Sequence, residues 1–167
     1  MPLMKNQRHF STAFVRAALA CGGFSLVGGC SRDDHTARVH TDHVHAAKHG
    51  GVAVELGEHE FQIEFTHGDT PGTLFAYLMD GHMNEYVRIE APRFSATATI
   101  DGVAFPIVFE ATAEPATGEK VGDSSLFTAK LAEVSAKSAV ELSVPALVIK
   151  GRTYQNVTAR VPSRAKS

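Results

Sequence analysis

Five histidines fall within fifteen residues: His35, His40, His43, His45 and His49, between Cys30 and Gly51. Imidazole is the commonest protein ligand for borderline metals, and it titrates near neutrality without perturbation. Such density points to metal handling. His45 and His49 stand four apart, a spacing that serves one ion from a helix, although Gly50-Gly51 would stop a helix there. His43 and His45 stand two apart, on one face of an extended strand. A flexible arm that chelates loses conformational entropy, so its sites should be modest in affinity and adaptable in geometry. His49 differs from the other four because Gly50 and Gly51 follow it, permitting positive φ or close backbone approach where the first strand begins. A second cluster, Asp80-Gly81-His82-Met83-Asn84-Glu85, offers carboxylate, imidazole and thioether together. The Met83 sulfur favours Cu(I), whereas imidazole with carboxylate suits Zn(II). Each cluster also has a plainer reading: the arm as a solvated spacer, and the second as a polar turn with Met83 filling the core edge.

The elements that must position these residues begin with a leader. Lys5, Arg8 and Arg16 precede an apolar, small-residue stretch from Ala17 to Val27, with no acid before Cys30. That stretch is too short and glycine-rich for a permanent membrane span and reads as an export signal. Leu26-Val27-Gly28-Gly29-Cys30 resembles the lipobox of bacterial lipoproteins, which implies cleavage before Cys30 and lipid on its thiol and new amino terminus. The competing reading is an ordinary secretory signal with an incidental cysteine. Ser31 follows the lipid cysteine in place of the aspartate of inner-membrane retention, so the resemblance favours the outer membrane. The expected localisation is the cell envelope, facing the periplasm.

The expected organisation is a signal peptide over 1–29, a disordered histidine-rich arm over 30–49, a folded domain over 50–163 and a short tail over 164–167. Beyond the leader, 13 basic residues face 18 acids, a formal charge of −5 with neutral histidines. No basic patch for nucleic acid is expected from that balance. The two cysteines, Cys21 and Cys30, belong to the leader or its cleavage point, so the domain has neither a disulfide nor a thiolate ligand. A metal site must then be built from imidazole, carboxylate, thioether or backbone groups.

From Gly50 onward the apolar pattern has period two, with turn signals every eight to twelve residues. Phe94, Ala96, Ala98 and Ile100 alternate with polar residues, and Asp101-Gly102 turns tightly into Val103, Phe105, Ile107 and Phe109. Phe61, Ile63 and Phe65 form another such strand, and Thr73–Asp80 reads as buried on both faces. Further strands are expected at 52–56, 85–89, 125–130, 138–149 and 152–161, with Lys150-Gly151 joining the last two. Residues 130–137 are the one short helical candidate, and Pro106 and Pro145 belong on edges or bulges. The pattern predicts an all-β fold, an antiparallel β-sandwich of about eight to nine strands, Ig-like in general architecture. His59 is in phase with Phe61 and should point inward, whereas His67 reads as an exposed turn residue. Asp123-Ser124-Ser125 shows no nucleophile with its base, and no phosphate loop, nucleophile elbow or HExxH is present. No enzymatic role is expected.

The order of histidine-rich arm, HGGVAVELGEHEFQIEF (49–65) and LFAYLMDGHMNEYVRI (74–89) resembles a family of small bacterial envelope lipoproteins. It is also similar to the HGG-containing segment of periplasmic adaptors of heavy-metal efflux systems. The stretch EPATGEKVGDSSLF (114–127) fits the same small proteins, so the resemblance covers most of the chain beyond the leader. It implies association with copper, zinc or cobalt efflux and maps onto His49, Gly50, Gly51, Asp80 and His82. The adaptor's hairpin and lipoyl-type parts have no counterpart here. The expectation is a lipid-anchored accessory protein that buffers Zn, Cu or Co ions or passes them to an efflux complex, without an organic cofactor. Its metal ligands would come from the five arm histidines, His82 and Met83. The alternative is a non-catalytic envelope interaction or structural module with the arm as spacer. A third possibility is an acid sensor built on the histidines.

Overall fold

The computed structural model describes residues 46–135 and 137–164, together with the backbone of 35–36. The strands are β1 (His35–Thr36), β2 (Val52–Leu56), β3 (Phe61–His67), β4 (Thr73–Asp80), β5 (Arg93–Ile100), β6 (Val103–Ala111), β7 (Leu126–Lys130), β8 (Val140–Ile149) and β9 (Arg152–Val161). Their order in one sheet is β1-β9-β8-β5-β6-β7-β4-β3-β2. Strands β2 to β9 pair antiparallel throughout, and β1 adds to β9 in parallel at Tyr154 and Gln155. The all-β antiparallel architecture is as the alternation predicts.

The sheet is nearly closed, and its two layers face one another across a shared core. One layer is β9-β8-β5-β6 and the other β7-β4-β3-β2, joined by two residue pairs, Glu110 with Thr128 and Ala111 with Phe127. Between β2 and β9 the sheet stays open, leaving a largely apolar groove of about 530 Å³. The order β8-β5-β6-β7 is a Greek key, because β8 returns beside the first strand of a three-strand meander. Asp101-Gly102 and Lys150-Gly151 both take positive φ at each position, the geometry whose twist suits two-residue hairpins. Phe94 and Phe109 face each other across β5 and β6 and stack at 4.9 Å between ring centroids. Phe65 and Phe127 from the opposite layer close on this pair at 5.7 and 5.2 Å.

Several local expectations change. The 85–89 stretch is not a strand; Tyr86 and Ile89 form isolated bridges to Met79 and Ser124. The described residues of 130–137 contain no helix. Their backbone groups bond to the β3–β4 turn instead, Leu131 N–H to the Gly72 carbonyl and Gly72 N–H to that of Val134. Val134 is buried, so one apolar anchor, rather than a helical face, fixes this connection. Pro106 lies opposite Thr97 where β6 has no pairing with β7, and Pro145 lies beyond the last β8 pair with β5. Both positions suit a residue that lacks a backbone donor.

The core quartet sets a stability prediction. Phe109→Ala should lower the unfolding free energy by about 3–5 kcal/mol. Val108→Ala, half-exposed on the opposite face, should stay within about 0.5 kcal/mol. Urea unfolding of both variants checks this, and equal losses would contradict the assignment of faces.

Candidate functional site

The outer face of β3 is polar in sequence yet buried in the fold. Gln62, Glu64 and Thr66 are all covered, Glu64 completely. The cover over Glu64 is the 46–51 segment, and the carboxylate is what holds it there. Glu64 Oε1 accepts the backbone N–H groups of His49 at 2.8 Å and Gly51 at 3.0 Å. Its Oε2 accepts from His49 Nδ1 at 2.9 Å. A buried carboxylate needs such donors, because an unpaired one costs several kcal/mol or neutralises.

The glycines follow from this wrapping. Gly50 has φ +73, a conformation that other residues adopt at a cost. A side chain at Gly51 would begin 2.1 Å from the Phe65 carbonyl oxygen, so the backbones meet there without room for a Cβ. The His-Gly-Gly sequence is therefore a bracket around Glu64: donor ring, reversed backbone, close approach.

With Nδ1–H donated to a carboxylate, the uncharged form of the His49 ring carries its lone pair on Nε2. Tyr86 Oη lies 2.9 Å from that nitrogen. The ring also stacks on Tyr77, with centroids 3.7 Å apart and planes within 8°. Tyr77 stands opposite Glu64 across β3 and β4. Burial pushes the Tyr77 phenol upward, with Tyr86, Asp69 and Glu64 adding to the shift, so it remains a neutral hydroxyl at physiological pH. His49 itself is about one quarter exposed, and Tyr86 is half exposed. Lys48 Nζ donates to the Asn84 carbonyl at 2.8 Å, tying the same segment to the 81–86 connection.

That connection is organised by its own aspartate. Asp80 Oδ1 accepts the N–H groups of Asn84 at 2.6 Å and Glu85 at 3.3 Å, so the carboxylate caps its turn. Met83 takes φ +57 and is 2% exposed, whereas the adjacent His82 is exposed. The two neighbours thus occupy different environments, sulfur in the interior and imidazole at the surface. Gly81 sits against the His59 carbonyl, where a Cβ would lie at 1.7 Å.

His49 is thus joined to the 81–86 connection through Tyr86 and through Lys48. His35 lies in β1, while Cys30, His40, His43 and His45 lie outside the described residues. Among the described residues, no three histidine, cysteine or carboxylate side chains converge in a metal-binding group. Two other histidines depart from their expected positions. His59 is exposed, not inward: the chain reverses at φ +59 there, and its Nδ1 pairs with Glu55 at 2.7 Å. His67 is not an exposed turn residue but buried, because β3 extends to it and keeps it in phase with Phe65. Ser124 and Ser125 serve structure, donating to the Thr112 carbonyl at 2.6 Å and to Glu119 at 2.7 Å. Arg88 reaches Glu119, Asp123 and the Thr117 carbonyl, bolting down the 112–125 connection between β6 and β7.

Sequence reasoning missed Glu64, Tyr77 and Tyr86. The usable signal was Thr73–Asp80, whose two buried faces imply a cover over the outer side of its neighbour β3 as well. No family model, curated protein or solved structure matches the chain.

Removing the bracket's acceptor should be costly. Glu64→Ala strands two backbone donors and should destabilise the fold by about 1–3 kcal/mol. Gly51→Ala, which must push two backbones apart, should cost about 1–3 kcal/mol. Chemical denaturation measures both, and wild-type midpoints for both would contradict the bracket.

Proposed function

We propose that this chain is a lipid-anchored accessory protein of the bacterial envelope that binds zinc, copper or cobalt and buffers it or delivers it to an efflux complex. The anchor would be lipid on Cys30, and the protein would face the periplasm, at the outer membrane. The observation that carries the reading is the ordered His49 ring. A carboxylate on one imidazole nitrogen fixes the tautomer, orients the ring and raises the basicity of the other nitrogen, an arrangement typical of metal-ligating histidines. Glu64 orients the His49 ring through Nδ1, and Nε2 lies at a partly exposed rim beside Tyr86.

A single imidazole does not make a site. His45 precedes His49 by four residues, a span of at most about 14 Å when extended. His43 and His40 lie a little further along the same arm. These histidines supply the remaining ligands, with His82 on the neighbouring connection as a further donor. A metal entering would displace the Tyr86 hydroxyl from Nε2. Met83 contributes to packing in this scheme, since its buried position withholds the sulfur. No chemical step is assigned to the protein.

A second reading is an interaction or structural module of the envelope, with the arm as spacer. It is favoured by the fact that both His49 ring nitrogens already have protein partners. The two readings separate in calorimetric titrations of the full chain with Zn(II), Cu(II) and Cu(I). Metal handling predicts binding that weakens by about 10–100-fold in Glu64→Gln, the usual cost of losing such a carboxylate. It also predicts a steep fall below about pH 6, because ligating imidazoles must be unprotonated. Heats no greater than those of an unrelated protein, or no response to Glu64→Gln, would favour the module.

A further inference from the structure

His67 is the one described histidine that the site above does not use and that the core encloses. It ends β3 on the inner face, 3% exposed, and neither ring nitrogen has a hydrogen-bond partner. Buried polar atoms without partners are uncommon and call for a reason. His67 lines, with the 68–73 turn, Val134 and Arg164, a small cleft of about 60 Å³ that is partly open to solvent. The C-terminal tail closes this end of the core: Arg164 donates to the His67 carbonyl at 2.8 Å and lies 3.8 Å from Asp69.

The charges around the ring are asymmetric. The tail contributes the Arg164 guanidinium, and the β3–β4 turn contributes Asp69, whose side chain is 93% exposed. Strand β4 brings the Thr73 hydroxyl, already paired with Thr70 at 2.8 Å. The 131–139 connection brings apolar Val134 and the Ser138 carbonyl, while its Glu133 and Lys137 are exposed. Burial holds the His67 imidazole below its ordinary value of 6.5. The carbonyl of Pro162 opposes this, Arg164 reinforces it, and the Ser138 carbonyl opposes it weakly. By distance and angle, neither carbonyl makes a hydrogen bond to a ring nitrogen.

We propose that His67 and Arg164 form a proton-operated latch, in which uncharged His67 lets the 162–164 tail close the end of the core and protonated His67 drives it off. Protonation places a second cation beside the half-exposed guanidinium, and among the described lining residues the one carboxylate, Asp69, stands out in solvent. Releasing the tail hydrates the ring and separates the two charges. The sign follows from linkage. A histidine that binds its proton less readily when docked holds full docking stability above about pH 6.5, and that stability is lost as pH falls below it. The envelope is where such a device would meet external acid, although the latch itself stands independently of the metal reading.

Hydrogen exchange on the full chain tests the latch. The Gly68 and Gly72 amides, bonded to the Thr73 and Val134 carbonyls, report on the turn beneath the tail. After correction for intrinsic exchange, their opening should increase between about pH 7.5 and about pH 5.5, approaching about tenfold per pH unit. His67→Gln should abolish that dependence. Flat exchange in the wild type, or the same rise in His67→Gln, overturns the proposal. Should His67→Gln fail to fold, Arg164→Met serves: the His67 ring, followed by NMR, should titrate at higher pH than in the wild type. An unchanged midpoint overturns the proposal as well.

Discussion

A carboxylate buried on the outer face of a β-sheet must find donors, and in this protein the donors come from a segment that would otherwise leave the domain. Glu64 is fully enclosed and accepts three N–H groups from His49 and Gly51. Much of the local architecture follows from that requirement. The 46–51 segment must fold back across β3, which demands a glycine with positive φ and then a glycine without room for a Cβ. The His49 ring must lie flat on Tyr77, because Tyr77 is the cross-strand neighbour of Glu64. Nε2 must then face the rim, where Tyr86 meets it.

The same constraint separates the histidines into different physical classes. His49 is oriented by protein groups and brings little additional ordering cost to a ligand. In the proposed role, the arm histidines before it would supply number and reach, at the entropic cost that a chelating arm incurs. An ordered imidazole next to a run of additional donors suits reversible capture and transfer better than permanent storage, and this underlies the proposed accessory role. His67 belongs to a third class, enclosed with neither nitrogen satisfied, and its chemistry concerns protons instead.

The fold was largely legible because alternation and turn chemistry agree. Phe94 to Ile100, Asp101-Gly102 and Val103 to Phe109 specify a hairpin from pattern alone, and the structure pairs them across their length. The site was legible in part. His49-Gly50-Gly51 stood out, but its partner did not, since Glu64 sits in what reads as a solvent-facing row with Glu60 and Gln62. Burial of that row depends on loops that return from elsewhere in the chain, which no local period encodes. His59 and His67 were misassigned for one shared reason. Strand phase was carried back to His59, two residues before β3 begins, and broken off before His67, where β3 ends. The 85–89 segment also illustrates the limit: its apolar residues are spaced like a strand, but Val87 and Ile89 are buried in a connection that pairs only through isolated bridges.

The claim that Glu64 fixes His49 as an outward-facing ligand is tested most directly by nitrogen-15 NMR of the His49 ring in the full chain, before and after Zn(II). The account predicts a protonated Nδ1 and an unprotonated Nε2 in the metal-free protein, with zinc shifting Nε2 and leaving Nδ1–H in place. A ring protonated on Nε2 instead, or one that zinc leaves unchanged, would contradict it.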